Sequence, residues 1–173
     1  MVDVDSGIPQ AKGANFGTYA VVIANENYRS VADVGNAAND GNVLHQYLTK
    51  TLGIPENNVI YCENASGAML ADVKGVALEP KKAAPTGNMV VLSACSGSQT
   101  AHIFKEGKHG LFTYWLLRKL KETEGEVTLG ELQEHLAQYV DYTATNRLNL
   151  PGQQPTLQVS PTLSRNWRAI PLR

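Results

Sequence analysis

The stretch VVLSACSGSQTA, residues 90–101, runs from a short apolar segment into Cys95 and then into a loop of small residues. A thiol at the carboxyl end of a parallel strand lies where open α/β sheets gather their ligands. An imidazole within reach would lower its pKa and later protonate a leaving amine. His109, in KHGLF, is the first candidate partner because it begins a predicted helix beside a loop, and His102 is the second. A Cys95/His109 pair would support acyl transfer through a thioester. The plainer reading of a cysteine in or beside an apolar run is a free buried thiol, and it applies to Cys62 as well as Cys95.

Other chemistries are less well served. Asp33 and Asp40 flank a loop and are separated by a helix start, and Asp40 reads most simply as an acidic residue favoured near a helix N-terminus. The four histidines, His45, His102, His109 and His135, show neither HExxH spacing nor a nearby CxxC, so no metal site is expected. His45 and His135 fall on predicted helices as surface or boundary residues. GANFG, SGSQT and SGAML lack the Lys-Ser/Thr of a phosphate loop and the strand-to-helix GxGxxG of a dinucleotide site, so no cofactor is expected.

The elements that must position these residues can be read from periodicity. TYAVVIAN, residues 18–25, is a continuous apolar run of strand length that suits burial on both faces. In NDGNVLHQYLTKTLG, Val43, Leu44, Tyr47, Leu48 and Leu52 recur at helical spacing, with Asn39 or Asp40 as the cap and Gly53 as the stop. VIYCE is a second strand, so the first 63 residues make a strand–helix–strand unit. Residues 65–87 have no clear period beyond a possible strand at GVALE, and a structureless insert of that length is unusual in a compact domain. NMVVLSA is another strand. HGLFTYWLLRKLKE carries Leu111, Phe112, Trp115, Leu116 and Leu120 on one stripe. VTLGELQEHLAQYVDYT opens on Thr128 and Glu131, a capping-box spacing, ahead of Leu132, Leu136, Tyr139 and Val140. QQPTLQVSP is a last short strand. This order predicts an α/β fold, a three-layer α/β/α sandwich around a mostly parallel sheet.

Composition limits the partners. With 15 Lys plus Arg against 16 Asp plus Glu in 173 residues, and no long run of like charge, nothing marks a surface for nucleic acid or anionic lipid. No apolar stretch reaches the ~20 residues of a membrane span, and the N-terminus has no export signal, so a soluble chain of undetermined compartment is expected. Residues 1–16 read as a polar linker at the boundary of a longer, processed protein.

The segments YAVVIANENYRSVADVGNAANDGNVLHQYLTKTLGIPENNV and GNMVVLSACSGSQTAHIFKEGKHGLFTYWLLRKLKETEGEVTLGELQEHL resemble, in order and spacing, the two halves of the bacterial caspase-like cysteine peptidases, the metacaspase and orthocaspase relatives. The resemblance implies a caspase-like sandwich with a large-subunit part at 17–65, an intersubunit linker at 66–87 and a small-subunit part at 88–173. It also implies an endopeptidase that cleaves after a basic residue. In that family the catalytic His stands in an SGHG and the Cys in a DACxSG, both between the two quoted halves. Neither occurs in this chain. By the resemblance Cys95 lies one strand beyond the family's nucleophile and His109 at the small-subunit helix start. Roughly 70 residues, judged from an ordinary domain size, and two central strands are then missing near residues 65–66. Asp40 matches an acid that lines a pocket for the substrate's basic side chain, and Lys81 or Lys82 matches a processing point in the linker.

Two classes of function follow. One is a caspase-like cysteine endopeptidase domain, impaired for lack of its dyad, whose partner is a peptide or protein substrate. The other is a noncatalytic interaction or scaffold module on the same fold. An exposed sheet edge beside the missing strands would suit a homodimer.

Overall fold

The protein's structure is a computed structural model that describes residues 1–27, 35–65, 87–96, 99–163 and 165–173. The expected strand–helix–strand unit forms at the start of the chain. β1 (Ala20–Ala24) and β2 (Val59–Glu63) pair in parallel, with Val22 opposite Tyr61 and Ala24 opposite Glu63, and α1 (Ala37–Gln46) connects them. The helix packs hard on the sheet at Gly41, where a Cβ would overlap that of Ala24 and come within 3.0 Å of the Tyr61 ring. α1 continues as a π-helical turn over Tyr47–Thr51, and Gly53 ends it at φ 68°, a backbone conformation that glycine adopts without strain.

Two expectations for this unit are corrected. β1 is not buried on both faces: Val22 and Ala24 turn inward, whereas Val21 and Ile23 on the opposite face are about 40% exposed (40% and 41%). Nor does Asn39 or Asp40 cap the helix. The cap position is Asn36, whose side chain makes no capping bond, and the carboxylate that accepts from the Ala38 amide, at 3.0 Å, belongs to Glu26. A carboxylate from outside the helix serves the exposed amides and the helix dipole equally well, which leaves Asp40 free for another partner.

The second half contributes β3 (Val90–Ser93), β4 (Ile103–Phe104), β5 (His109–Gly110), α2 (Leu111–Glu122), α3 (Leu129–Tyr142) and β6 (Thr156–Val159). β3 pairs antiparallel with β6, and β4 with β5 in a short hairpin that turns through Lys105–Gly107. His109 therefore lies in a strand rather than at a helix start, and α2 begins two residues later with Gly110 extended at its cap. The capping box of α3 forms as predicted: Glu131 N donates to Thr128 Oγ1, and Thr128 N donates to Glu131 Oε2 at 2.8 Å. Helices α2 and α3 pack through Leu117, Leu120, Leu132 and Leu136. The Trp115 indole donates to Thr143 Oγ1 at 3.1 Å and stacks on Tyr139 with the ring centroids 4.7 Å apart.

The described residues thus form a mixed α/β fold with three α-helices. The mostly parallel sheet predicted from element order is not what the described residues form, which is one parallel and two antiparallel pairs of strands. Element order does not reveal that β6 returns antiparallel to satisfy the backbone of β3. No helix among the described residues is long and apolar enough to cross a membrane. The strand expected at GVALE lies outside the described residues.

Residues 1–16 do not run free as a linker. Val4 is buried at 2% exposure in the same core as Tyr47, Leu111 and Leu117, a burial worth about 1.5 kcal/mol for a valine. Several backbone groups of the segment are bonded to the body. Tyr47 Oη donates to Val4 O at 2.9 Å, Thr51 Oγ1 to Pro9 O at 2.9 Å, and Ala11 N to Lys50 O at 2.6 Å. Val4, the partly buried Ile8 and a set of backbone bonds bind a segment whose composition is otherwise that of a linker.

Candidate functional site

The carboxyl ends of β1 and β2 are laced together by asparagines. Asn25 Oδ1 accepts from Ala65 N at 2.8 Å, and Asn64 Oδ1 accepts from the amides of Glu26 and Asn27 at 3.0 and 2.9 Å. Asn64 holds a left-handed φ of 47°, a conformation asparagine tolerates better than most residues. This rim, α1 and the start of α2 enclose an open cleft of ≈ 300 Å³ lined by Ala24, Asn25, Ala37, Asp40, Leu44 and Thr113 among others. A smaller cavity of ≈ 110 Å³ adjoins it, reaching Ala94 at the end of β3, His102 and Gln153. Asp40 and Thr113 line both.

Asp40 is the carboxylate between the two spaces. Its Oδ1 lies 2.6 Å from His109 Nδ1, and the Gly110 amide donates to both carboxylate oxygens at 3.2 and 3.1 Å. The approach is close enough that a Cβ on Gly110 would sit 2.8 Å from Asp40 Oδ2. His109 is wholly buried, and its other nitrogen, Nε2, lies 2.7 Å from Asp5 Oδ1. One imidazole is therefore held between two carboxylates. Burial works against its charge, but the hydrogen bonds and charges of Asp40 and Asp5 outweigh burial and hold its pKa above the ordinary value. Nearby, the burial of Tyr47, then the charges of Asp5 and Asp3, push its hydroxyl up to about 12.

The structure brings Asp40 and His109 together and does not bring Cys95 to His109. The Cys95 thiol, half-buried, donates to Gln99 O at 3.2 Å, and no hydrogen bond joins it to either ring nitrogen of His109, each of which faces a carboxylate. A ring clamped on both nitrogens has no site left to accept a thiol proton. His102, the second candidate, has Nε2 against Pro151 O at 2.8 Å. His45 pairs with Glu56 at 2.9 Å. Lys81 and Lys82 lie outside the described residues. Among the described residues no cluster of three or more His, Cys, Asp or Glu could hold a metal ion.

Sequence reasoning missed Asp5 and Gln153. Gln153 is fully buried, accepts from His102 N at 2.8 Å and donates to Ala94 O at 2.8 Å, tying β3 to the loop that carries His102. Its signal was present as a long polar side chain just ahead of a strand, but its partners lie 51 and 59 residues away. Asp5 had no signal beyond its charge. No protein-family model, curated protein or solved structure matches the chain.

Proposed function

We propose that this chain is a caspase-like module that receives a basic side chain of a peptide or protein partner at Asp40 and does not perform cysteine-peptidase chemistry. The observation that carries the reading is the placement of Asp40: a carboxylate lining both the ≈ 300 Å³ cleft and its ≈ 110 Å³ neighbour, with Oδ2 bonded, among the described residues, to a backbone amide alone. A carboxylate oriented by an imidazole and an amide, with unused lone pairs toward an open cleft, suits the forked donors of arginine or the ammonium of lysine. The second reading is a cysteine endopeptidase cleaving after a basic residue, in a three-layer caspase-like sandwich. It is less well supported because a catalytic thiolate needs a base within hydrogen-bond reach, and Cys95 bonds to a carbonyl instead. A homodimer through the outer edges of the two-stranded sheets is compatible with either reading.

Calorimetric titration with short Arg- and Lys-containing peptides, in parallel with Arg- and Lys-terminated reporter substrates, separates the two. The module reading expects saturable binding that Asp40→Asn weakens about tenfold or more, the cost of losing one charged hydrogen bond, and no turnover. Turnover that disappears in Cys95→Ala would establish the peptidase instead. Absence of both binding and turnover would remove Asp40 from either role.

A further inference from the structure

The first residues of the chain are fastened to the body at several points. Lys121 Nζ donates to the carbonyls of Asp3 and Ser6 at 2.6 and 2.5 Å, Tyr114 Oη to Val2 O at 3.3 Å, and Tyr47 Oη to Val4 O at 2.9 Å. The Tyr47 hydroxyl keeps its proton through the neutral range, since burial, then the charges of Asp5 and Asp3, push it up to about 12. The Asp5–His109 contact differs, because a neutral imidazole has only one N–H. With both ring nitrogens within 2.7 Å of a carboxylate oxygen, both contacts are attractive only in the imidazolium.

Loss of one proton must turn one of these contacts into lone pair against lone pair, and the two sides are unequal. Asp40 sits on α1, is held by the Gly110 amide and has a side chain 19% exposed. Asp5 sits on the N-terminal segment, and its side chain is 38% exposed. Water can replace His109 as a partner of Asp5 more readily than of Asp40. Among the described residues, the charged groups facing the ring are Asp5 from the N-terminal segment and Asp40 from α1. Asn39 Nδ2 from α1 approaches Nδ1 at 3.5 Å, and Asp3, Tyr47 and Lys121 surround Asp5's own segment.

We propose that Asp5, His109 and Asp40 form a proton-linked latch: with both ring nitrogens protonated it bolts Asp5 to the body, and loss of the Nε2 proton frees Asp5 and loosens residues 4–6 around it, while Asp40 keeps its bond to Nδ1 and the other anchors of the segment remain. The latch does not rest on the proposed binding role of the cleft, with which it shares Asp40.

Nuclear magnetic resonance of the whole chain tests this directly. The His109 ring signal and the backbone amides of Val4, Asp5 and Ser6 are followed from pH 6 upward. The expected result is one shared midpoint, with those amides moving toward unfolded-chain positions while the rest of the spectrum holds. Asp5→Asn removes a partly exposed charge without altering shape. It is expected to lower the ring's midpoint by about one pH unit and to carry the loosening of residues 4–6 down with it. Amides of residues 4–6 that stay in place through the ring's titration would overturn the latch. So would a ring that keeps its proton until the whole chain unfolds, or a loosening whose midpoint is the same in Asp5→Asn.

Discussion

Asp40 Oδ1 and His109 Nδ1 lie 2.6 Å apart although 69 residues separate them, and that bond joins the first strand–helix unit to the β4–β5 hairpin. It fixes the direction of the one carboxylate shared by both cavities. It also commits the histidine that the sequence offers as a partner for Cys95 to a different task.

Removing the imidazole should therefore cost more than an ordinary polar substitution. His109→Ala leaves a partly buried carboxylate without its counter-charge, at about 3 kcal/mol, the low end for a broken buried pair because Asp5 is already partly solvated. Urea unfolding at pH 6 measures it. A loss well under 1 kcal/mol would mean that water substitutes for the ring at both carboxylates.

The pH dependence has a definite sign. His109 has a pKa raised in the folded state, so its stabilisation is complete below the unfolded imidazole value, about 6.5. It is lost as pH rises through the folded value, because there the folded state gives up the proton that favoured it. The stability difference between the wild-type chain and His109→Asn should shrink between neutral and mildly alkaline pH. A difference that grows over that range would reverse the assignment.

His135 should act in the opposite direction. Burial first, then the positive charge of Lys119, lowers its pKa, and its Nε2 is buried without a hydrogen-bond partner among the described residues, beside Trp115 and Tyr139. The folded state keeps it neutral. Its contribution is present above the unfolded value and is lost as pH falls through that value toward the folded one, where only the unfolded chain takes up the proton. His135→Leu should therefore lose less stability than the wild-type chain between pH 7 and pH 5, as read from thermal midpoints.

Gly41 is the contact on which the placement of Asp40 depends. A methyl group there would overlap the Ala24 Cβ and press on Tyr61. Gly41→Ala should destabilise the chain by about 1–3 kcal/mol despite the better helix propensity of alanine, because α1 must lift from β1. Chemical denaturation reads the loss, and a stabilised variant would show that the helix is free to shift.

Thr128→Ala should cost about 1 kcal/mol by removing one half of the capping box of α3, while Thr128→Ser should be close to neutral. Urea midpoints of the two variants measured together check it. Equal losses would assign the effect to the threonine methyl group rather than to the hydroxyl.

The sequence by itself determined the elements whose evidence is local. The β1–α1–β2 unit, the Thr128/Glu131 cap, the stop at Gly53 and most of the buried faces of α2 and α3 follow from a spacing of a few residues, which the helical and strand repeats translate directly into a face or an end; on those faces Phe112 is only partly buried, Tyr139 is exposed, and Tyr114, Leu117 and Leu129 join the core instead. Asp40, read from its position as an acidic residue at a helix start, is turned instead to His109 and to the wall of the cleft. Tertiary structure alone decided which groups meet. Glu26 supplanted Asn39 and Asp40 at the start of α1, β6 came back antiparallel to β3, and the N-terminal residues became part of the core through Val4. His109 went to Asp40 and to Asp5, the latter 104 residues away, rather than to Cys95. The physical reason is that a charge or a backbone donor is satisfied by any partner of the right kind that the packed chain brings within 3 Å, and no repeat in the sequence records which one arrives.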